Sequence, residues 1–131
     1  MTSFVITGST KGIGFALARH CVERGDQVLI SGRSLEAVDQ ALAKLQDAGS
    51  GRAIGLAADM TERAQVEALW ATAAEEFGPV DVWVNNAGVA HTTHTIVDAP
   101  ADKVQAMVRT NLFGTIHGCQ VAAQGMVAQG S

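Results

Sequence analysis

Three glycines near the start of the chain are the residues whose spacing is best suited to chemistry. They lie within residues 7–14 with the spacing G-x-x-x-G-x-G, between an apolar run at 4–6 and an amphipathic segment at 15–24. A glycine turn between a strand and a helix is the context in which such a motif binds a dinucleotide. The first turn of the helix has unpaired N–H groups and a positive dipole end, and both attract phosphate. A plain loop without a ligand is the alternative, because glycines also mark ordinary turns.

The three glycines have different predicted roles. Gly8 permits the tight turn out of the strand, Gly12 lets the backbone approach a pyrophosphate, and Gly14 lets the helix pack closely on the sheet. The cofactor contacts that we expect from this turn are those of Gly8, Ser9, Thr10, Lys11, Gly12, Ile13 and Gly14.

Cations near the turn favour NADP(H) over NAD(H). In dinucleotide folds an acidic residue about 20 positions beyond the glycines holds the ribose hydroxyls, and an arginine there accommodates a 2′-phosphate. This chain has Arg33 and Ser34 at that point, and its next acidic residue is Glu36. Lys11 adds a second cation to the same predicted pocket. The alternative for each cation is a solvated surface side chain, which is the usual environment of a lone arginine or lysine.

Composition indicates one globular domain, residues 1–131. The apolar fraction is 47%, the charged fraction 17% and the net charge −4, so nothing favours nucleic acid or a membrane surface as a partner. The sequence has no apolar stretch long enough to span a bilayer and no basic, apolar leader at its start, so we expect a cytoplasmic location. Cys21 and Cys119 are far apart in sequence and fit reduced thiols.

No metal site is predicted. His91 and His94 have the spacing of half a site, but no cysteine or carboxylate cluster accompanies them. Polar residues in a loop are the better interpretation.

Strands and helices alternate along the chain. Short apolar runs predict strands at 4–6, 27–31, 52–58 and 80–84, and apolar residues at helical spacing follow each of them. Ser34 and Thr61 are predicted N-caps, and Pro100 is expected near the start of a fourth helix. This pattern predicts an α/β fold, a Rossmann-type doubly wound parallel sheet of strand order 3-2-1-4. Its ligand crevice would lie at the carboxyl ends of strands 1 and 4.

The end of the chain raises two further expectations. The fourth strand is apolar at nearly every residue except Asp81, which is typical of a strand covered on both faces and both edges. We therefore expect the sheet to be truncated before a fifth strand. A fifth helix at about 112–127 has one apolar side, formed by Leu112, Ile116, Cys119, Ala123 and Met126.

These residues together resemble the short-chain dehydrogenase/reductase family. Residues 7–14 resemble its cofactor motif, and Asn-Asn-Ala-Gly at 85–88 resembles its second signature at the end of strand 4. Asp59 matches the family position that contacts adenine, and Asn111 matches an asparagine that helps to hold the active-site water chain. The glycine turn and residues 83–88 are also similar to the chlorophyll b reductase-like branch. The resemblance implies further cofactor contacts from Asp59, Met60, Asn86, Ala87 and Gly88.

Each of these positions also has a purely structural interpretation. Asp59 could be a loop residue before the Thr61 cap, Asn86 could tie strand 4 to its neighbours, and Asn111 could cap a helix junction.

The resemblance implies hydride transfer between a nicotinamide and a carbonyl or alcohol carbon of a small molecule, and assembly as a homo-oligomer. Family members use a tyrosine as general acid/base, a lysine four residues later and a substrate-polarising serine. This chain contains no tyrosine, and Ser131 precedes the strand where that serine belongs, so of the catalytic set only Asn111 is assigned. We expect the chain to be the cofactor half of an NADP(H)-dependent oxidoreductase and inactive alone. The alternative is a non-catalytic NADP(H)-binding module or sensor.

Overall fold

A computed structural model of the chain describes residues 1–90 and 93–131, so His91 of the histidine pair lies outside the described residues. Strands and helices alternate as the sequence predicts. The strands are β1 (Ser3–Ile6), β2 (Gln27–Gly32), β3 (Arg52–Ala57) and β4 (Val82–Val84). The helices are α1 (Gly12–Glu23), α2 (Leu35–Leu45), α3 (Arg63–Phe77), α4 (Ala101–Val108) and α5 (Gly114–Gln129). A π-helical turn, Arg109–Phe113, joins α4 to α5.

The four strands form one parallel sheet in the order β3-β2-β1-β4, which confirms the predicted Rossmann-type topology. Val5 in the centre of the sheet pairs with Leu29 on one side and Trp83 on the other. Strand β4 begins at Val82, two residues later than predicted. The side-chain amide of Gln129 holds Val80 instead, with Nε2 donating to its carbonyl at 2.8 Å and Oε1 accepting its N–H at 3.2 Å.

Each face of the sheet has its own hydrophobic core. Because successive strand residues point to opposite faces, Val5 and Ile6 belong to different cores. Helices α1 and α2 cover the core that contains Ile6, while α3 and α5 cover the one that contains Val5. Helix α3 contributes Val66 and Leu69 to this second core, and both are fully buried. No helix in the described part of the chain combines the length and the apolar character needed to cross a membrane.

One predicted helix cap is confirmed and the other is wrong. Ser34 caps α2, because its Oγ accepts the N–H of Ala37 at 3.2 Å. Helix α3 begins at Arg63 with Glu62 as its N-cap, and not after Thr61. The Thr61 hydroxyl donates to Asp59 Oδ1 at 2.8 Å, and its N–H donates to the same oxygen at 2.9 Å. The carboxylate two residues earlier closes a local turn, which directs the Thr61 hydroxyl to Asp59 and not to the first N–H groups of α3.

Helix α5 turns a different face to the core than its apolar pattern predicts. Leu112 and Ile116 are 53% and 41% exposed, whereas the buried residues are Gly114, Gly118, Val121 and Ala122. Close packing selects this face: a Cβ at Gly114 would lie 3.0 Å from the Met60 Cβ. Small residues let the helix axis approach the sheet, and a stripe of larger side chains cannot.

Candidate functional site: a cleft at the ends of β1, β2 and β4

A cleft of 870 Å³ opens at the carboxyl ends of the strands, where the sequence places the ligand. Its volume is in the range of small-molecule and cofactor sites. Twelve of the predicted site residues line it: Gly8, Thr10, Lys11, Gly12, Ile13, Arg33, Ser34, Asp59, Met60, Asn86, Ala87 and Gly88. The residues that line it without having been predicted are Ser31, Gly32, Ala37, Ala58, Val89 and Thr110.

Two glycines of the turn have left-handed backbone conformations, with φ of 59° at Gly8 and 61° at Gly12. A Cβ at Gly8 would lie 2.6 Å from the Cα of Ala87, so a side chain there would push the turn away from the loop after β4. At Gly12 a Cβ would meet no described heavy atom within 4 Å. Gly12 thus presents bare backbone to the cleft, as close approach of a phosphate requires.

The start of α1 supplies the groups for an anion. Lys11 is the N-cap residue in an extended conformation, and its side chain caps none of the described N–H groups. The first turn contains no acidic residue. The N–H groups and the positive dipole end of a 12-residue helix therefore face the cleft.

Ser9 and Gly14 lie behind the turn and do not line the cleft. The fully buried Ser9 hydroxyl donates to the carbonyl of Ile6 at 2.6 Å and accepts the N–H of Ser31 at 2.9 Å. A Cβ at Gly14 would lie 2.5 Å from Asn86 Nδ2, which leaves no room for any other residue. These two residues shape the turn, and the prediction that they touch a cofactor stays a prediction.

Thr7 joins the glycine turn to the loop after β4. Its buried hydroxyl accepts the N–H groups of Asn86 and Ala87, each at 3.0 Å, and donates to the carbonyl of Val84 at 3.3 Å. Asn86 Nδ2 donates to the carbonyl of Gly8 at 2.8 Å. The structural interpretation of Asn86 therefore holds alongside its place in the cleft wall: its amide ties the two signature motifs together.

Among the described residues, the charged side chains that line the cleft are those of Lys11, Arg33 and Asp59. Lys11 and Arg33 are exposed, and neither forms an ion pair with the residues at 1–90 and 93–131. One oxygen of the Asp59 carboxylate, Oδ1, accepts both bonds from Thr61. Free cationic charge thus lies at the end of β2, where a phosphate would be attracted.

Asn111 acts on the loop after β4 from outside the cleft. Its Oδ1 accepts the N–H of Val89 and its Nδ2 donates to the carbonyl of the same residue, both at 2.7 Å. This two-point clamp uses the whole amide, so the helix-cap interpretation is wrong. The π-helical turn that carries Asn111 also brings Thr110 to the cleft wall. No periodicity in the sequence indicates such a turn, which is why Thr110 was missed. Val89 directly follows the predicted stretch at 85–88.

The far wall is fixed by a histidine of α5. His117 Nδ1 donates to the carbonyl of Met60 at 2.8 Å, which assigns the proton to that nitrogen. Met60 itself is 5% exposed and packs against Gly114. Helix α5 therefore holds the Met60 part of this wall, while the local turn with Thr61 holds Asp59.

Comparison with known proteins agrees with this fold. The family model described as "short chain dehydrogenase" matches residues 2–131. Chlorophyll(ide) b reductase NOL of Arabidopsis thaliana is 36% identical over 97% of this chain and 37% of its own length. An alcohol dehydrogenase from Thermococcus sibiricus, solved with 5-hydroxy-NADP, superimposes with a TM-score of 0.88 at 26% identity, over 100% of this chain and 55% of the other. A variant actinorhodin polyketide ketoreductase with NADPH gives a TM-score of 0.89 at 32% identity, over 99% and 50%. The chain thus spans about half the length of these two structures and 37% of the length of the Arabidopsis thaliana reductase.

Proposed function

The chain belongs to the short-chain dehydrogenase/reductase family, and we propose that it is the cofactor-binding part of an NADP(H)-dependent oxidoreductase acting on a carbonyl or alcohol group of a small molecule. The family assignment supports an oxidoreductase with a nucleotide-binding Rossmann fold. The preference for NADP(H) is the finer part of the proposal and depends on the residues of the cleft.

The residues present fit a dinucleotide. The open backbone at Gly12 and the uncapped start of α1 would hold the pyrophosphate. The wall at Asp59 and Met60 would flank the adenine, and the loop at 86–88 would border the path toward the nicotinamide. When bound, the cofactor supplies or accepts a hydride, while the chain binds, orients and encloses it.

One observation carries the choice of NADP(H). The end of β2 presents the guanidinium of Arg33, which forms no ion pair within residues 1–90 and 93–131, and it presents no acidic side chain. A guanidinium offers a fork of N–H donors that matches phosphate oxygens. Lys11 lies on the same cleft and adds a second positive charge. An acidic residue in this place would instead bind the two ribose hydroxyls and repel a 2′-phosphate.

A non-catalytic NADP(H)-binding module is the second candidate. The observation that favours it is the Asn111 side chain, whose amide bonds both backbone groups of Val89 and so holds a loop. A protein purified from its native source would separate the two: the oxidoreductase consumes NADPH with a carbonyl substrate, while the module binds NADPH without turnover. Homo-oligomeric assembly and a cytoplasmic location are further proposals. Localisation of the tagged protein in cells of its source tests the cytoplasmic location, since the related Arabidopsis thaliana reductase is chloroplastic.

A fluorescence titration of NADPH and NADH tests the cofactor assignment. We expect Arg33→Ala to weaken NADPH binding about 10-fold to 100-fold, which corresponds to the loss of charge-assisted hydrogen bonds to one phosphate. NADH affinity should change little. Arg19→Ala is the matched control, because Arg19 is an exposed arginine of α1 that pairs with Glu23 and does not line the cleft. An equal loss for both nucleotides, or none, contradicts recognition of a 2′-phosphate by Arg33.

A further inference from the structure

Gly32 is the last residue of β2, and its backbone does not require a glycine. Its φ lies outside the left-handed region, and it pairs with Ala57 of β3 in the regular ladder. What excludes a side chain is one neighbour. A Cβ at Gly32 would lie 2.7 Å from Cγ2, 3.3 Å from Oγ1 and 3.6 Å from Cβ of Thr10.

Thr10 therefore fills the space into which a side chain at position 32 would point. Both residues line the cleft, and Arg33 follows directly. Threonine is β-branched and has few χ1 rotamers, so a side chain at position 32 would require Thr10 to leave its present rotamer. In the open cleft, the obstacle to a residue larger than glycine at the end of β2 is thus a side chain of the glycine turn.

We propose that Thr10 and Gly32 act as one steric unit that sets cofactor selectivity. The Thr10 side chain keeps an acidic residue out of the end of β2, where a carboxylate would hold the ribose hydroxyls and pair with Arg33. The guanidinium of Arg33 stays available for a 2′-phosphate as a result. This inference rests on the proposed preference for NADP(H) and names the contact that maintains it.

The steric part is tested without ligand, by thermal unfolding of Gly32→Ala, Thr10→Ala and the double variant. A new Cβ at 2.7 Å forces a shift, and we expect Gly32→Ala to lower Tm by about 3–6 °C. The loss should disappear when Thr10 is alanine. The matched control is Gly55→Ala on β3, where a Cβ would lie 2.5 Å from Val38 Cγ1, so Thr10→Ala should not rescue it. Additive effects of Thr10→Ala and Gly32→Ala overturn the steric unit.

The selectivity part is tested with Gly32→Asp, alone and with Thr10→Ala, by titration of NADH and NADPH. Gly32→Asp alone should lose NADPH without gaining NADH, because Thr10 prevents the carboxylate from reaching the ribose. The double variant should bind NADH about 10-fold more tightly than the single variant. Equal NADH affinity of the two variants overturns the inference. If the wild-type chain binds NADPH no better than NADH, the proposed preference for NADP(H) is wrong. The thermal unfolding of the three variants still tests the contact between Thr10 and Gly32 in that case.

Discussion

Replacing Thr7 by valine removes one hydroxyl and keeps the shape of the side chain. Thr7 is 1% exposed, and its oxygen is the acceptor for two backbone N–H groups, those of Asn86 and Ala87. Each buried donor left without an acceptor costs about 1–3 kcal/mol. Because residues 86 and 87 are only half-buried, water satisfies part of the need, and we expect a loss of about 2–4 kcal/mol of unfolding free energy. For a chain of 131 residues this lowers Tm by about 7–15 °C.

Thr7→Ser is the matched control, since it keeps the hydroxyl and loses only the methyl group. Urea denaturation of both variants gives the unfolding free energies, and the serine variant should lose about 1 kcal/mol. The valine variant should also bind NADPH more weakly, because the loop that Thr7 holds forms one wall of the cleft. If the two variants are equally stable, the hydroxyl does not tie the glycine turn to this loop, and the explanation of why the two motifs lie together is wrong.

Three further predictions concern side chains outside the cleft. Burial raises the pKa of the Cys21 thiol above its ordinary value of 9.0, nearby Asp26 raises it further and Arg24 lowers it. The thiol of the unfolded chain therefore loses its proton at a lower pH than the thiol of the folded chain. We expect the free energy of unfolding to decrease as pH rises above 9.0, and to decrease less in Cys21→Ala. For Asn111→Ala we expect faster hydrogen exchange of the Val89 amide and a cost of about 1 kcal/mol. Gln129→Ala should speed hydrogen exchange of the Val80 amide and leave that of Val89 unchanged. If neither variant changes the exchange of its amide, the bonds from Asn111 to Val89 and from Gln129 to Val80 do not hold these segments.

The sheet and the glycine turn were predictable because local patterns determine them. Apolar runs bounded by glycine predict strands. Because a helix follows each strand, parallel pairing in the order 3-2-1-4 is the simplest topology. The same reasoning is enough to place Gly8, Gly12 and Arg33 together at one edge of the sheet. These residues lie within a few positions of the ends of β1 and β2, so the placement of the two strands also places them.

Features that depend on contacts between distant segments were not predictable. The buried face of α5 is set by how closely Gly114 and Gly118 approach the sheet, and periodicity alone favours the larger side chains at Leu112 and Ile116. The missing cap at Thr61 is a local exception, because its hydroxyl bonds the Asp59 carboxylate two residues earlier. Similarly, the place of Ser9 in the motif predicts a cleft residue, while its hydroxyl is used between β1 and β2.

The most direct test of phosphate binding at the glycine turn is an amide chemical-shift titration of the 131-residue chain with NADP⁺ and, separately, NAD⁺. We predict that the largest NADP⁺-induced shifts fall on the amides of residues 8–14, at the start of α1, with a second group at 32–34. NAD⁺ should shift the first group and leave the second nearly unchanged, since only NADP⁺ carries the 2′-phosphate. A folded chain whose amides at 8–14 do not move with either nucleotide contradicts the central claim.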